Sequence, residues 1–376
     1  MDNSKRKKFR TGLTSILSAI LGATIGFLLM FLLDRVLERS PQDVYYPLLG
    51  LLFFFASFFV QIILHEAGHL VFGGLSGYRF VSFRIFRLML VRESGKLRVR
   101  RYHIPGTGGQ ALMMPPEGGK PVPFVLYNLG GVLMNFIVAM LCLLLLLVCG
   151  FTSFLPVVVL STMAASGIFI ALTNGIPMEI GGVPNDGKNI LVLKKDEYSR
   201  HVFWLMLQVN GLQSRGMRLR DMPEAWFSLP QRPRYGSYMH MYAALLRAGW
   251  HMDRQELEQA TESLELIRPF APNLATLYRF EWQCEMLFCE LMGPRRSEEV
   301  EALYTKELQK YIGKCERYQL GKKRLLYAYA LLMEKDIAKA ERLWGEAQRL
   351  AERSPNTGEA KSELDLMLWV KEIASY

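Results

Sequence analysis

The sequence predicts a mainly α, polytopic membrane protein with about four transmembrane helices, a short membrane-associated β-hairpin and a C-terminal soluble α-helical domain. Three observations predict it. Of the 376 residues, 51% are hydrophobic, and these concentrate in the first half. Four apolar stretches there are each long enough to cross a bilayer. From about Lys188 onward the composition is that of a soluble domain.

The first stretch, Gly12 to Leu33, follows Lys5, Arg6, Lys7 and Lys8. Its 22 residues exceed a signal-peptide core, so it reads as a retained anchor with a cytoplasmic N-terminus. The others are Tyr46 to Leu75, Phe124 to Cys149, and Phe154 to Thr173. Asp34 to Val44 carries two basic and three acidic residues, whereas Gly77 to Pro123 carries nine basic and two acidic, which places the longer loop in the cytoplasm. Four spans then leave the C-terminal domain cytoplasmic too. The expected divisions are an N-terminal basic segment and first helix (1–44), a membrane core (45–189) and a cytoplasmic helical domain (190–376).

The net charge of +10 is explained by this topology. Basic residues gather beside membrane ends, where anionic headgroups of the lipid bilayer are the nearer partner, so no nucleic-acid partner is expected. Cys142 and Cys149 fall in a span, and Cys284, Cys289 and Cys315 in a domain assigned to the reducing cytoplasm. Neither a disulfide framework nor a cysteine metal site is indicated.

Within the second span stands His65-Glu66-Ala67-Gly68-His69. Four-residue spacing sets His65 and His69 one above the other on a helical face, where two neutral imidazoles can hold one Zn²⁺. Glu66 lies beside that face, placed to take a proton from water at the metal. Such groups are costly in lipid, so a carboxylate flanked by histidines in this setting is a functional-site hypothesis by default.

Between the second and third spans, Phe80 to Val91 and Lys96 to Arg100 read as the strands of a hairpin turned at Glu93-Ser94-Gly95, with one basic and one apolar face. Gly108 to Met114 reads equally as strand or loop before Pro115-Pro116. In the third span, Gly130 and Gly131 admit a close helix, and Asn135 needs a polar partner. The fourth span ends in Asn174-Gly175-Ile176-Pro177, then Glu179, and then Asp186-Gly187. Pro177 and the glycines break the helix at its cytoplasmic end, the same end as the HExxH helix, so their carboxylates and imidazoles can converge.

Together these residues, over about Phe53 to Lys188, resemble the site-2 protease family of intramembrane zinc metalloproteases. In that family HExxH lies in one core helix, a GxxxN element in the next, and Asn-x-x-Pro followed by Asp-Gly in the third. The matches are His65, Glu66 and His69, then Gly131 and Asn135, then Asn174, Pro177, Asp186 and Gly187. Ile104-Pro105-Gly106-Thr107-Gly108-Gly109 partly matches the family's Pro-x-Gly-Gly strand. The resemblance implies a Zn²⁺ cofactor held by His65, His69 and Asp186, with Glu179 the runner-up for third ligand because Asn174 and Asp186 are more widely separated than usual. It also implies Glu66 as the general base and then acid, and Asn174 or Asn135 as a hydrogen-bond donor to substrate or intermediate. Gly108 and Gly109 would support an unwound substrate strand. The implied substrate is a membrane-spanning protein or peptide, cut within or beside its membrane segment, in regulated intramembrane proteolysis or in signal-peptide or peptide-signal processing. The implied location is the cell membrane, multi-pass.

Nothing between the core helices resembles a PDZ domain. Tyr242 to Glu265 and Tyr327 to Leu350 show Ala and apolar residues at helical spacing in the manner of tetratricopeptide units, matched as well by a generic helical bundle. This half is the natural place for a protein partner. The alternative to a protease is a non-catalytic membrane scaffold that binds partners through these helices, against which the intact His65, Glu66 and His69 argue.

Overall fold

The structure, a computed structural model, describes Gly22, Gly26 and residues 46–375 except 94–95, 103–107, 117–122, 152, 181–182, 232 and 236. The basic N-terminal residues and, Gly22 and Gly26 apart, the expected first span lie outside the described residues. The described chain is mostly helical with a small antiparallel β component. Three of its helices are long and apolar enough to cross a membrane.

These three are α1 (Tyr46–Leu75), α2 (Phe124–Cys149) and α3 (Phe154–Gly175), and they pack on one another. Their outward faces carry exposed Leu, Ile, Val and Phe, including Leu52, Phe59, Leu144 and Leu145, a distribution suited to lipid. The inward face of α1 is polar at four-residue intervals, with Ser57, Gln61, His65 and His69 all buried. α1 and α2 approach until their backbones touch, because a Cβ at Gly68 would overlap the carbonyl of Gly130 and one at Gly130 would sit 2.6 Å from the carbonyl oxygen of Gly68.

After α1 the chain forms β1 (Arg79–Ile85), and β4 (Gly109–Met114) pairs with it antiparallel, with a register shift between Phe80 and Ser82. Gly108 to Met114 is thus strand rather than loop from Gly109 onward. The expected single strand from Phe80 to Val91 is two strands, broken at Phe86, whose φ of 51° is left-handed. β2 (Leu88–Glu93) and β3 (Lys96–Arg101) form the hairpin. Its faces are less cleanly divided than expected. Cross-strand register sets Met89 opposite Arg100 and Val91 opposite Arg98, so the buried apolar pair shares the basic face. The apolar face, with Leu88, Leu97 and Val99, is exposed.

Beyond α3 a two-residue ladder, β5 (Glu179–Ile180) with β6 (Val183–Pro184), leads into α4 (Asp186–Lys195). This small hairpin takes up the extra length between Asn174 and Asp186.

The chain divides into two compact units, one of 1–85 with 108–195 and the other of 86–107 with 196–376. The second unit is built from α5 (Glu197–Gln213), α6 (Tyr238–Asp253), α7 (Leu257–Glu265), α8 (Thr276–Met292), α9 (Ser297–Leu303), α10 (Lys306–Cys315), α11 (Leu320–Tyr329), α12 (Ile337–Ala351) and α13 (Thr357–Ala374). Buried Ala244, Ala248, Ala328 and Ala347 let successive helices approach, and Met252, Leu264, Leu287, Phe288 and Met367 fill the space between them. Left-handed Gln255 and Lys335 end α6 and the segment after α11, and Asp336 caps α12 by accepting the Lys339 amide at 2.9 Å.

Candidate active site

His65 and His69 point from one face of α1 to a common point, their Nε2 atoms 3.2 Å apart and their rings nearly perpendicular at 85°. Asp186 reaches the same point from the first turn of α4. Its Oδ2 lies 3.2 Å from His65 Nε2 and 3.6 Å from His69 Nε2. All three are buried or half-buried. These are the spacings of a tetrahedral face, since zinc–nitrogen bonds of about 2.0–2.1 Å give ligand separations of about 3.3–3.4 Å.

The far side of each ring fixes its proton. His69 Nδ1 lies 2.8 Å from the Tyr127 carbonyl, which can only accept, so Nδ1 carries the hydrogen and Nε2 presents a lone pair. For His65 the same conclusion comes through a relay. The Met163 carbonyl accepts from Gln61 Nε2 at 3.0 Å, which turns Gln61 Oε1 toward Asn135. Asn135 Nδ2 donates to Gln61 Oε1 at 2.7 Å and to the Gln61 carbonyl at 2.8 Å. Asn135 Oδ1 therefore faces His65 Nδ1 at 2.7 Å and accepts its hydrogen. Two bare Nε2 lone pairs then confront each other and Asp186 Oδ2, a buried oxygen with no hydrogen-bond donor. That donor set fits a cation.

Glycines bring the surrounding elements in. A Cβ at Gly131 would overlap the His65 ring, so α2 lies flat against the imidazole only because that position is glycine. A Cβ at Gly109 would come within 2.5 Å of Glu66 Cγ, and the next residues of β4 pass so close that the Ala111 amide faces the Glu66 carboxylate. The Ala111 carbonyl accepts from the Tyr127 hydroxyl at 2.9 Å. β4 is in this way fastened to both site helices. At Gly108 an added Cβ would only reach ordinary van der Waals contact with Ile62.

Asp186 is placed by its neighbours. Asn185 donates to the carbonyls of Thr173 and Ile176 at 2.7 and 2.6 Å and accepts the amides of Met178 and Lys188 at 3.1 and 2.9 Å. It caps α4 and ties it to the break after α3. Gly187 then lets the first turn of α4 meet the Gly175 carbonyl and Pro177.

The structure thus brings together His65, His69 and Asp186, with Glu66 and Gly109 adjoining and Asn135 behind His65. Glu179 is elsewhere, half-exposed and 3.6 Å from Lys188 Nζ. Asn174 turns back on its own helix, donating to Ile170 at 3.0 Å. Asn135, wholly buried, holds an imidazole rather than facing open space. Sequence reasoning missed Gln61, Asn185 and Tyr127. The first stands four residues before His65, and the second precedes an Asp-Gly helix start, a recognisable cap. Tyr127 acts at the His65–His69–Asp186 cluster through its backbone carbonyl, which no side-chain pattern shows.

Comparison of the chain with protein-family models, curated proteins and solved structures finds no match.

Proposed function

We propose that this chain is an intramembrane zinc endopeptidase of the site-2 protease type. The observation that carries the reading is the meeting of His65, His69 and Asp186, both imidazoles fixed with Nε2 bare, beside Glu66 in a helix apolar enough to cross a membrane. His65, His69 and Asp186 would hold the ion, which when bound polarises a scissile carbonyl and acidifies water.

The protein's own groups supply the rest. Glu66 takes a proton from the attacking water and returns it to the amide nitrogen as the C–N bond breaks, leaving a carboxylate and an amine. The Tyr127 carbonyl and the Asn135–Gln61 relay hold the imidazoles in the metal-binding tautomer throughout. Gly109 keeps β4 against Glu66, so a substrate segment unwound beside this strand meets the base directly.

Gly12 to Leu33 serves as a fourth span, with the N-terminus and the C-terminal domain in the cytoplasm; the basic bias of Gly77 to Pro123 supports that orientation. The α6–α7 and α11–α12 helix pairs act as tetratricopeptide-like units for a protein partner.

Glu66→Gln tests the chemistry, because it keeps the shape and removes the base. Co-expression with tagged single-span proteins should show cleavage by wild type and an accumulated full-length substrate with the variant, a loss of about 10² to 10⁴ in rate. Equal processing by both sinks the assignment of Glu66.

A further inference from the structure

The second unit contains a groove of about 580 Å³ into which Arg87, Arg101, Arg317 and Arg353 all face, together with Tyr102 and Tyr318. Arg87 and Arg101 stand at the open end of the β2–β3 hairpin, where the Tyr102 amide donates to the Arg87 carbonyl at 3.0 Å. Arg317 follows α10 and Arg353 follows α12, so the fold assembles these guanidiniums from remote parts of the sequence.

No carboxylate lines the groove, and among the described residues none pairs with any of the four arginines. Other basic residues of the unit do meet carboxylates, although among the described residues Lys314 and Arg349, outside the groove, do not. Arg218, Arg268, Arg296, Lys322, Lys323, Arg324 and even the outward Lys339 each hold a carboxylate. Glu316, next in sequence to Arg317, is engaged by Lys323 at 3.0 Å. Four like charges around one concavity repel, and that repulsion is relieved when an anion enters.

Guanidinium forks match phosphate oxygens two at a time, and several of them on one group are a phosphate-recognition arrangement. The volume exceeds a bare ion, and Leu88 and Leu350 join the two tyrosines as walls for an organic body. We propose that this groove binds a phosphate monoester carried on a small organic body, either a soluble phosphate ester or the headgroup of an anionic phospholipid. The proposal is independent of the protease reading.

The full chain in detergent at about 150 mM salt, where diffuse attraction is screened, would be titrated with glycerol 3-phosphate by calorimetry. It would also be equilibrated with phosphatidylcholine micelles holding about one-tenth phosphatidate, which carries the same headgroup, and retained lipid read by native mass spectrometry. At least one carrier should bind; binding of phosphatidate alone assigns the membrane as source, and binding of glycerol 3-phosphate assigns a soluble ligand. Arg317→Gln with Arg353→Gln, and separately Arg87→Gln with Arg101→Gln, should each weaken binding about tenfold or more. Lys314→Gln with Arg349→Gln removes the same charge outside the groove and should change it less than about twofold. Neither carrier binding, or equal loss in the Lys314/Arg349 pair, overturns the proposal.

Discussion

Gln61 passes the polarity of one backbone carbonyl to an imidazole. The Met163 carbonyl accepts only, and each amide along the relay must then face one way, ending with a hydrogen on His65 Nδ1. Gln61→Leu removes the link that orients Asn135, and zinc affinity should fall about 10- to 100-fold, the usual effect of losing an outer partner of a metal-binding histidine. A competitive chelator titration measures it, with the thermal midpoint checking that the fold survives; unchanged affinity contradicts the relay. Asn185→Ala breaks four bonds around the start of α4 and should cost about 1–2 kcal/mol of local stability and loosen Asp186, lowering zinc retention where Glu179→Ala leaves it intact. At this scale His65, Glu66 and His69 stand out along the chain by their spacing and apolar setting, whereas Asp186 is named only through the resemblance, since an Asp-Gly pair alone reads as a surface turn. Their supports do not stand out, since Gln61 and Asn135 acquire meaning only when two helices face each other. Of the residues expected to touch substrate, Asn174 donates to Ile170 of its own helix and Asn135 bonds Gln61 and His65.

Elements meet in this site through absent side chains. Gly131→Ala sets a methyl group against the His65 ring, and Gly109→Ala sets one against Glu66. The first should lower zinc content and the second should lower cleavage while leaving zinc bound, so parallel metal and activity measurements separate the two contacts. Loss of zinc in Gly109→Ala would show that β4 supports the metal ligands rather than the base. The three apolar helices were predictable from length and hydropathy, and β4 only as an even choice, because six residues with two apolar methionines fit strand and loop alike. The break in the first strand at Phe86 was hidden: a non-glycine residue with positive φ leaves no compositional trace. The β5–β6 ladder takes up the wide spacing between Asn174 and Asp186, and it sets Glu179 beside Lys188 while Asp186 joins His65 and His69.

For the molecule as a whole, one unit carries three helices long and apolar enough to cross a membrane, and the other buries its apolar residues among its own helices. The helical unit contains a buried Arg324 that lies over Phe288 and meets Glu285 at 2.6 Å and Glu363 at 3.3 Å. Burial raises the Glu363 carboxyl to about 7 from an ordinary 4.5, with Arg324 opposing the shift. A carboxyl raised by folding contributes stability that is complete below pH 4.5 and is lost as pH rises through about 7. Glu363→Gln in the full chain should therefore raise the thermal midpoint near pH 8 and leave it nearly unchanged near pH 4, by calorimetry at both; a uniform effect contradicts a proton-linked origin. Helical patterning was readable here, but the ion pairs inside it were not, because Arg324, Glu285 and Glu363 look like solvated positions in sequence. The account rests most heavily on the proposal that His65, His69 and Asp186 hold a cation. Metal analysis of the purified full chain by mass spectrometry tests it directly: about one zinc per chain in wild type, mostly lost in His65→Ala, His69→Ala and Asp186→Ala and retained in Glu66→Gln. A folded wild-type protein that takes up no zinc, or histidine variants that hold it as well as wild type, would contradict it.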